Sequence, residues 1–196
     1  ITDLLTNAHN VWKDTAGGND CTPINFPVYN DTEEAVQFDG NNEYFRTKWS
    51  REKFGNNFSI SFVYRFTGST GDTYRALIGN RAGDFFVGKD NANSNIGIQD
   101  GNYINNVATG TNAWDGNWHH LVWTCNGNTD TIYLDGVEVG SASFTGANAT
   151  SDIHIGGEET SYFMRGFMKQ VRFFDATLTA AEIQKNYEAV KHRYSI

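Results

Sequence analysis

Apolar and polar residues alternate with a period of two through most of this chain. In "FSISFVYRF", Phe58, Ile60, Phe62, Tyr64 and Phe66 fall on one side, and Ser59, Ser61 and Arg65 on the other. A helix would scatter those five side chains around its axis. Only a strand gathers them, which predicts a central core strand. "AVQFDG" repeats the pattern, with Val36 and Phe38 on one face and a turn at Asp39–Gly40. "RALIGN", "DFFVGK" and "NIGIQDG" predict further short strands. "HHLVWTCNGNTDTIYLDGVEVGSASF" reads as strand, turn, strand, tight turn, strand, because Asp135–Gly136 suits a hairpin corner that needs positive φ twice. "SDIHIGG" and "GFMKQVRFF" add two more.

One segment has a different period. Ile183, Tyr187, Val190 and Tyr194 recur at helical spacing behind Thr179-Ala180-Ala181-Glu182, the pattern of a capping box. About ten short strands and one terminal helix predict an all-β architecture of two packed antiparallel sheets. Residues 1–34 are the least regular, with both prolines, Pro23 and Pro27, following Gly17-Gly18-Asn19-Asp20. They predict an N-terminal arm or edge strand, and residues 35–196 the sandwich itself.

The 196 residues suffice for one domain with a full core. The chain begins with Ile1 and shows no signal peptide, so it reads as a mature form or a segment of a longer protein. A formal net charge of −8 argues against a nucleic-acid partner and against adhesion to anionic lipid. No run approaches the roughly 18–20 apolar residues of a membrane-spanning helix, so membrane insertion is not expected. Cys21 and Cys125 are the two cysteines; one disulfide and two free thiols both fit.

"GNWHHLVWTC" holds the residue types of zinc sites and thiol catalysis. Strand parity sends His119 and His120 to opposite faces, so they cannot chelate one ion. Cys125 shares the parity of His119, but six residues of strand separate them by about 20 Å. A partner from another strand, such as His154, is still open. The simpler expectation is a packed, hydrogen-bonded histidine beside Trp118.

Four ordered blocks carry a family likeness: "AVQFDGNNEYFRT", "FSISFVYRF", "WHHLVWTCNGNTDTIYLDGVEVGSA" and "IHIGGEETSYFMRGFMKQVRFFDATLTAAEIQKNY". Over roughly residues 35–190 the chain resembles the laminin G-like, concanavalin A-like jelly-roll domains, including those of phage and large-virus structural proteins. The resemblance implies a two-sheet antiparallel jelly-roll β-sandwich with a short C-terminal α-helix. It also implies a structural calcium in many relatives, held by an acidic residue shortly before the Val-Arg pair of the closing strand. Lys169 stands there, and an ammonium cannot ligate calcium. The expectation is therefore no cofactor, with Lys169 either replacing the ion and pairing with a carboxylate such as Asp39, or solvated.

The resemblance implies a non-catalytic glycan-recognition or adhesion module, extracellular or on a virion surface. Its expected partners are a glycan or cell-surface polysaccharide and neighbouring subunits. A structural or decoration protein of a virus or phage particle is the alternative. A glycan-cleaving enzyme fits less well, because the Glu-x-Asp-x-Glu strand of some relatives is missing and Glu158–Glu159 fall in a turn where they should diverge. Glycan binding needs aromatic faces flanked by planar polar side chains. Tyr74, Arg75, Arg81, Asp84, Tyr103, Trp114 and Tyr162 are the candidates, with Phe85 and Arg165 nearby.

Overall fold

The computed structural model describes residues 2–6, 12–69, 71–80, 84–90, 95–101, 105–108, 112–127, 129–143 and 150–196. In chain order its strands are β1 (Thr2–Thr6), β2 (Trp12–Asp14), β3 (Thr22–Ile24), β4 (Val28–Asn30), β5 (Ala35–Asp39), β6 (Tyr44–Ser50), β7 (Asn57–Phe66) and β8 (Arg75–Asn80). There follow β9 (Phe85–Asp90), β10 (Asn95–Asp100), β11 (Asn105–Ala108), β12 (Trp118–Asn126), β13 (Thr129–Leu134), β14 (Val137–Ser143), β15 (Asp152–Ile155) and β16 (Arg165–Phe174). A short 3-10 turn follows β6 at Arg51–Phe54, and the α-helix α1 (Ala180–Tyr194) follows β16.

Among the described residues, nine strands form the first sheet, in the order β14-β13-β12-β7-β16-β1-β2, with β5 also on β16 and β4 on β5. Seven form the second, β11-β10-β9-β8-β15-β6-β3. Every strand pair is antiparallel. The strands outnumber the ten or so expected because several are only three or four residues long, too short for a period of two to register. β16 shares one of its edges: Arg165–Met168 pair with β5 and Gln170–Phe173 with β1.

Phe58, Ile60, Phe62, Tyr64 and Phe66 of β7 all enter the core between the sheets, as the alternation predicts. Each such burial is worth about 1.5–3 kcal/mol. Tyr64 also meets its polar need there, donating its hydroxyl to the Ala113 carbonyl at 2.8 Å. The Asp135–Gly136 hairpin has φ of 51° and 82°, as its corner chemistry requires.

Residues 1–34 supply strands to both sheets: β1, β2 and β4 to the first, β3 to the second. Trp12 is fully buried, packing edge-on against Phe45 at 5.2 Å. Cys21 and Cys125 are free thiols, both buried; burial pushes each thiol pKa up to about 12.

Helix α1 covers the outer face of the first sheet. Its capping box is formed: the Glu182 amide donates to the Thr179 hydroxyl, and Glu182 accepts from the Thr179 amide at 2.8 Å. Ile183 and Val190 are buried, and the Tyr187 ring stacks on His120 at 6.2 Å. The approach to the helix is fixed by Ser59, whose hydroxyl donates to the Ala176 carbonyl and accepts from the Leu178 amide, both at 2.9 Å.

Candidate functional site

The two histidines of β12 part as strand parity requires. His120 meets Ser61 at 3.2 Å and lies under α1, where burial lowers its pKa to about 4. His119 packs against Tyr64 rather than Trp118, with ring centroids 6.1 Å apart. Its Nδ1 lies 2.8 Å from Asp135 and its Nε2 3.0 Å from Asp115. Burial opposes its charged form, but those two carboxylates outweigh it and raise the pKa. Asp135 also accepts from the His120 amide at 2.9 Å, so this constellation locks the β13–β14 hairpin to β12. Its role is architectural.

At the end of the sandwich, ligand atoms of Asp100, Cys125 and Asp130 lie within 4.8 Å of one another, the one group among the described residues close enough to hold an ion. A positive charge is already there. Arg51, 2% exposed, grips Asp100 through two bonds of 2.9 and 2.7 Å and lies over the Phe58 ring at 4.7 Å. Burial pushes Asp130 up to about 7, while the Trp123 indole donates to it at 2.8 Å. The group is a buried ion pair beside a carboxyl that favours its proton, which suits structure more than metal binding.

Lys169 does not pair with Asp39. It is the extra residue where the β16–β7 register shifts between Met168 and Gln170. Its ammonium lies 4.7 Å from the Trp118 ring and 5.4 Å from Tyr194. The carboxylates that favour its charge are Glu34 and Glu33. Asp39 instead binds Asn41 in its own turn, at 2.8 and 2.9 Å.

The loop candidates separate. Arg81 and Tyr103 lie outside the described residues. Trp114 is a core residue: 4% exposed, it packs against Tyr64 and Phe66 and donates its indole N–H to the Asn95 carbonyl. Its faces are occupied, so it cannot serve as a sugar platform. Phe85 is likewise fully buried. Asp84 is tied to Asn80, whose amide donates to it at 2.7 Å. Arg75 ties loops together, donating to the Gly40 and Phe163 carbonyls and pairing with Asp72 at 3.3 Å. Arg165 is exposed and donates to the Asp39 carbonyl. Tyr74 and Tyr162 do come together, ring centroids 5.0 Å apart and both half-buried.

Tyr162 belongs to a loop that folds back across the outer face of the second sheet. The Gly156 amide binds the Leu77 carbonyl, the Met164 amide binds Gly156, and the Ala76 amide binds Tyr162. Two of its non-glycine residues, Glu159 and Tyr162, hold left-handed backbone at φ 72° and 56°. Such conformations cost about 1–3 kcal/mol each and persist where surrounding bonds enforce them. Glu158 and Glu159 diverge as expected. Glu158 is buried against Gly79, and burial pushes its pKa up to about 8. Glu159 reaches the other way, to Arg46 at 3.3 Å.

Beside this loop is a cavity of about 230 Å³, lined by Arg46, Ser151, Asp152, His154 and Glu159. Its construction follows from pairing. Phe45 opposes Ile155 with both side chains in the core, so Arg46 and its partner His154, one residue along, face outward together. Tyr44 supports them, its ring 4.8 Å from His154 and its hydroxyl accepting from Arg46 at 3.5 Å. Burial lowers the His154 pKa to about 4, so the ring is neutral at physiological pH, and its Nδ1 has no hydrogen-bond partner among the described residues. Sequence reasoning singled out His154 and the glutamates without assembling them with Arg46. The signal was present in "YFRTKWS" and "DIHI", where polar residues alternate with core ones.

Two antiparallel sheets face to face, with a helix on the outside of one, define a concanavalin A-like β-sandwich. The family model described as the concanavalin A-like lectin/glucanases superfamily (Laminin_G_3) matches residues 39–184, and the chain belongs to that family. No curated protein sequence matches it significantly. Among solved structures it is similar to botulinum neurotoxin type C, whose cell entry is described as dependent on two ganglioside molecules (14% identity, TM-score 0.73, 97% of this chain and 51% of that one). It is also similar to the binding domain of botulinum neurotoxin DC in complex with rat synaptotagmin II (15%, TM-score 0.75, 97% and 51%). A third is Trypanosoma rangeli sialidase in complex with sialic acid (15%, TM-score 0.70, 97% and 33%). At these identities the likeness is one of fold, and the chain spans about half of the toxin chains and a third of the sialidase.

Proposed function

We propose that this chain is a non-catalytic recognition module that binds a glycan on the outer face of its second sheet, as part of an extracellular or virion-surface assembly. The observation that carries the reading is the cavity itself: donors and acceptors from two strands and a loop converge on it, over the buried Tyr44 ring that supports His154. Sugars present hydroxyl rims, and such a polar lining of donors and acceptors suits them. The family and the ganglioside- and sialic acid-binding structural neighbours support the same direction. Catalysis is disfavoured by the two adjacent glutamates, since one is buried against the sheet and the other is held by Arg46.

The test is a glycan array followed by titration calorimetry. Binding should be lost in Arg46→Ala and in Ser151→Trp, which fills the cavity, and kept in Lys185→Ala, exposed on α1 across the sandwich from it. Absence of any glycan ligand, or binding indifferent to both cavity variants, would refute the reading.

A second reading, contact with a neighbouring subunit, is favoured by Phe26. Its ring is 83% exposed on consecutive left-handed residues, Asn25 and Phe26, with Val28 beside it at 53%. A bulky residue in that conformation is uncommon. Sedimentation of the wild type against Phe26→Ser tests it, since a contact through this ring must weaken in the variant.

A further inference from the structure

Resting on the glycan reading of this cavity, we infer that it takes a single uncharged pyranose ring and rejects sugars that carry a carboxylate. The cavity's charges decide this. Asp152 and Glu159 are two acidic groups among its five lining residues, against one cation, Arg46. That cation is already committed, to Glu159 at 3.3 Å and to the Tyr44 hydroxyl at 3.5 Å. His154 adds no second positive charge, because burial keeps its ring neutral.

A carboxylate is an acceptor only, and would face two groups that are acceptors only and of the same sign. Like charges brought together in a binding site are strongly disfavoured. A hydroxyl both donates and accepts. Ring hydroxyls can donate to Asp152 and Glu159, accept from Arg46, and exchange either role with the Ser151 hydroxyl. The cavity's 230 Å³ is smaller than the roughly 300–1,000 Å³ of drug-sized pockets, which suits one terminal ring. The preference would thus be opposite to that of the sialidase neighbour, which was solved with sialic acid.

The experiment compares matched glycans that differ only in a terminal sialic acid, titrated into the wild type and into Asp152→Asn/Glu159→Gln. The substitutions are isosteric and the Arg46–Glu159 ion pair they break is partly exposed, so the fold should persist, checked by circular dichroism. The wild type should bind the neutral member at least about tenfold tighter. The double variant releases Arg46 and should shrink that ratio by about tenfold. Equal or tighter binding of the sialylated member by the wild type, or a ratio unmoved in the variant, overturns the inference while leaving the glycan reading intact. Failure of the wild type to bind either member, or any other glycan, overturns both.

Discussion

Glu158 makes the stability of this protein depend on pH in a way that one substitution should remove. Its carboxyl group is 6% exposed, accepts from the Ser161 hydroxyl at 3.5 Å, and leaves Oε1 without a partner among the described residues. Burial raises its pKa from 4.5 to about 8. An acid whose folded pKa is raised binds its proton more tightly in the folded state. The resulting stability is full below about pH 4.5 and is lost as the pH rises through about 8. At about 1.4 kcal/mol per pH unit, that interval amounts to roughly 5 kcal/mol. Glu158→Gln keeps the shape and the Ser161 bond but cannot ionise. Urea denaturation at pH 5, 7 and 9 should give the wild type a steep loss of stability and the variant a smaller one. Near pH 5 the two should be close, and at pH 9 the variant should be more stable by about 3–5 kcal/mol. Asp130 and His119, both raised, add a fall common to the two proteins, so their difference isolates Glu158. Superimposable pH profiles would refute the argument. Because Glu158 anchors the loop that presents Glu159 and Tyr162, ligand affinity should weaken over the same pH range.

Arg51→Met should cost about 3–5 kcal/mol by leaving Asp100 buried without its cation, and Arg51→Met/Asp100→Leu should recover much of it, as thermal melts will report. Neither cysteine should react with a thiol-exchange reagent at pH 8 in the native protein, and both should react in denaturant, since the thiols are buried with pKa near 12. Thr179→Ala should cost about 0.5–2 kcal/mol in denaturation, by removing the acceptor for the Glu182 amide. Gly88→Ala should cost about 1–3 kcal/mol or prevent folding, because its methyl would lie 2.0 Å from the Arg75 carbonyl oxygen.

The sandwich was legible wherever one face of a strand is buried and the other is not. β7, the Asp135–Gly136 corner and the Thr179–Glu182 cap all follow from local pattern, and all form. The first 34 residues resisted because their strands are three to five residues long, and Trp12 reaches the core through pairing that no periodicity announces. Trp114 was misplaced for a related reason. Its asparagine- and glycine-rich surroundings have the composition of an exposed loop, yet Ala113–Trp114 tuck between the sheets against Tyr64 and Phe66. The cavity was hidden by distance along the chain. Alternation places Arg46 and His154 on polar faces of their strands, but only the order β15-β6 makes those strands neighbours. Lys169 shows the same limit, since a register shift inside β16 aims it at Trp118.

The position of β16 also sets a timetable for folding. This strand fills the place beside β7 and receives β5 and β1 on its far edge, with Thr2 opposite Phe173. Pairings this distant in sequence slow folding, toward the millisecond-to-second range of β-sandwiches. On a ribosome adding about 5–20 residues per second, the interval between completing Phe66 and reaching Arg165 is roughly 5–20 s. Throughout it, the strand with the most aromatic face in the chain has one edge open and no closed core to cover it, and β1 waits longer still. That nascent interval, more than the finished surface, is when this chain is most exposed to aggregation.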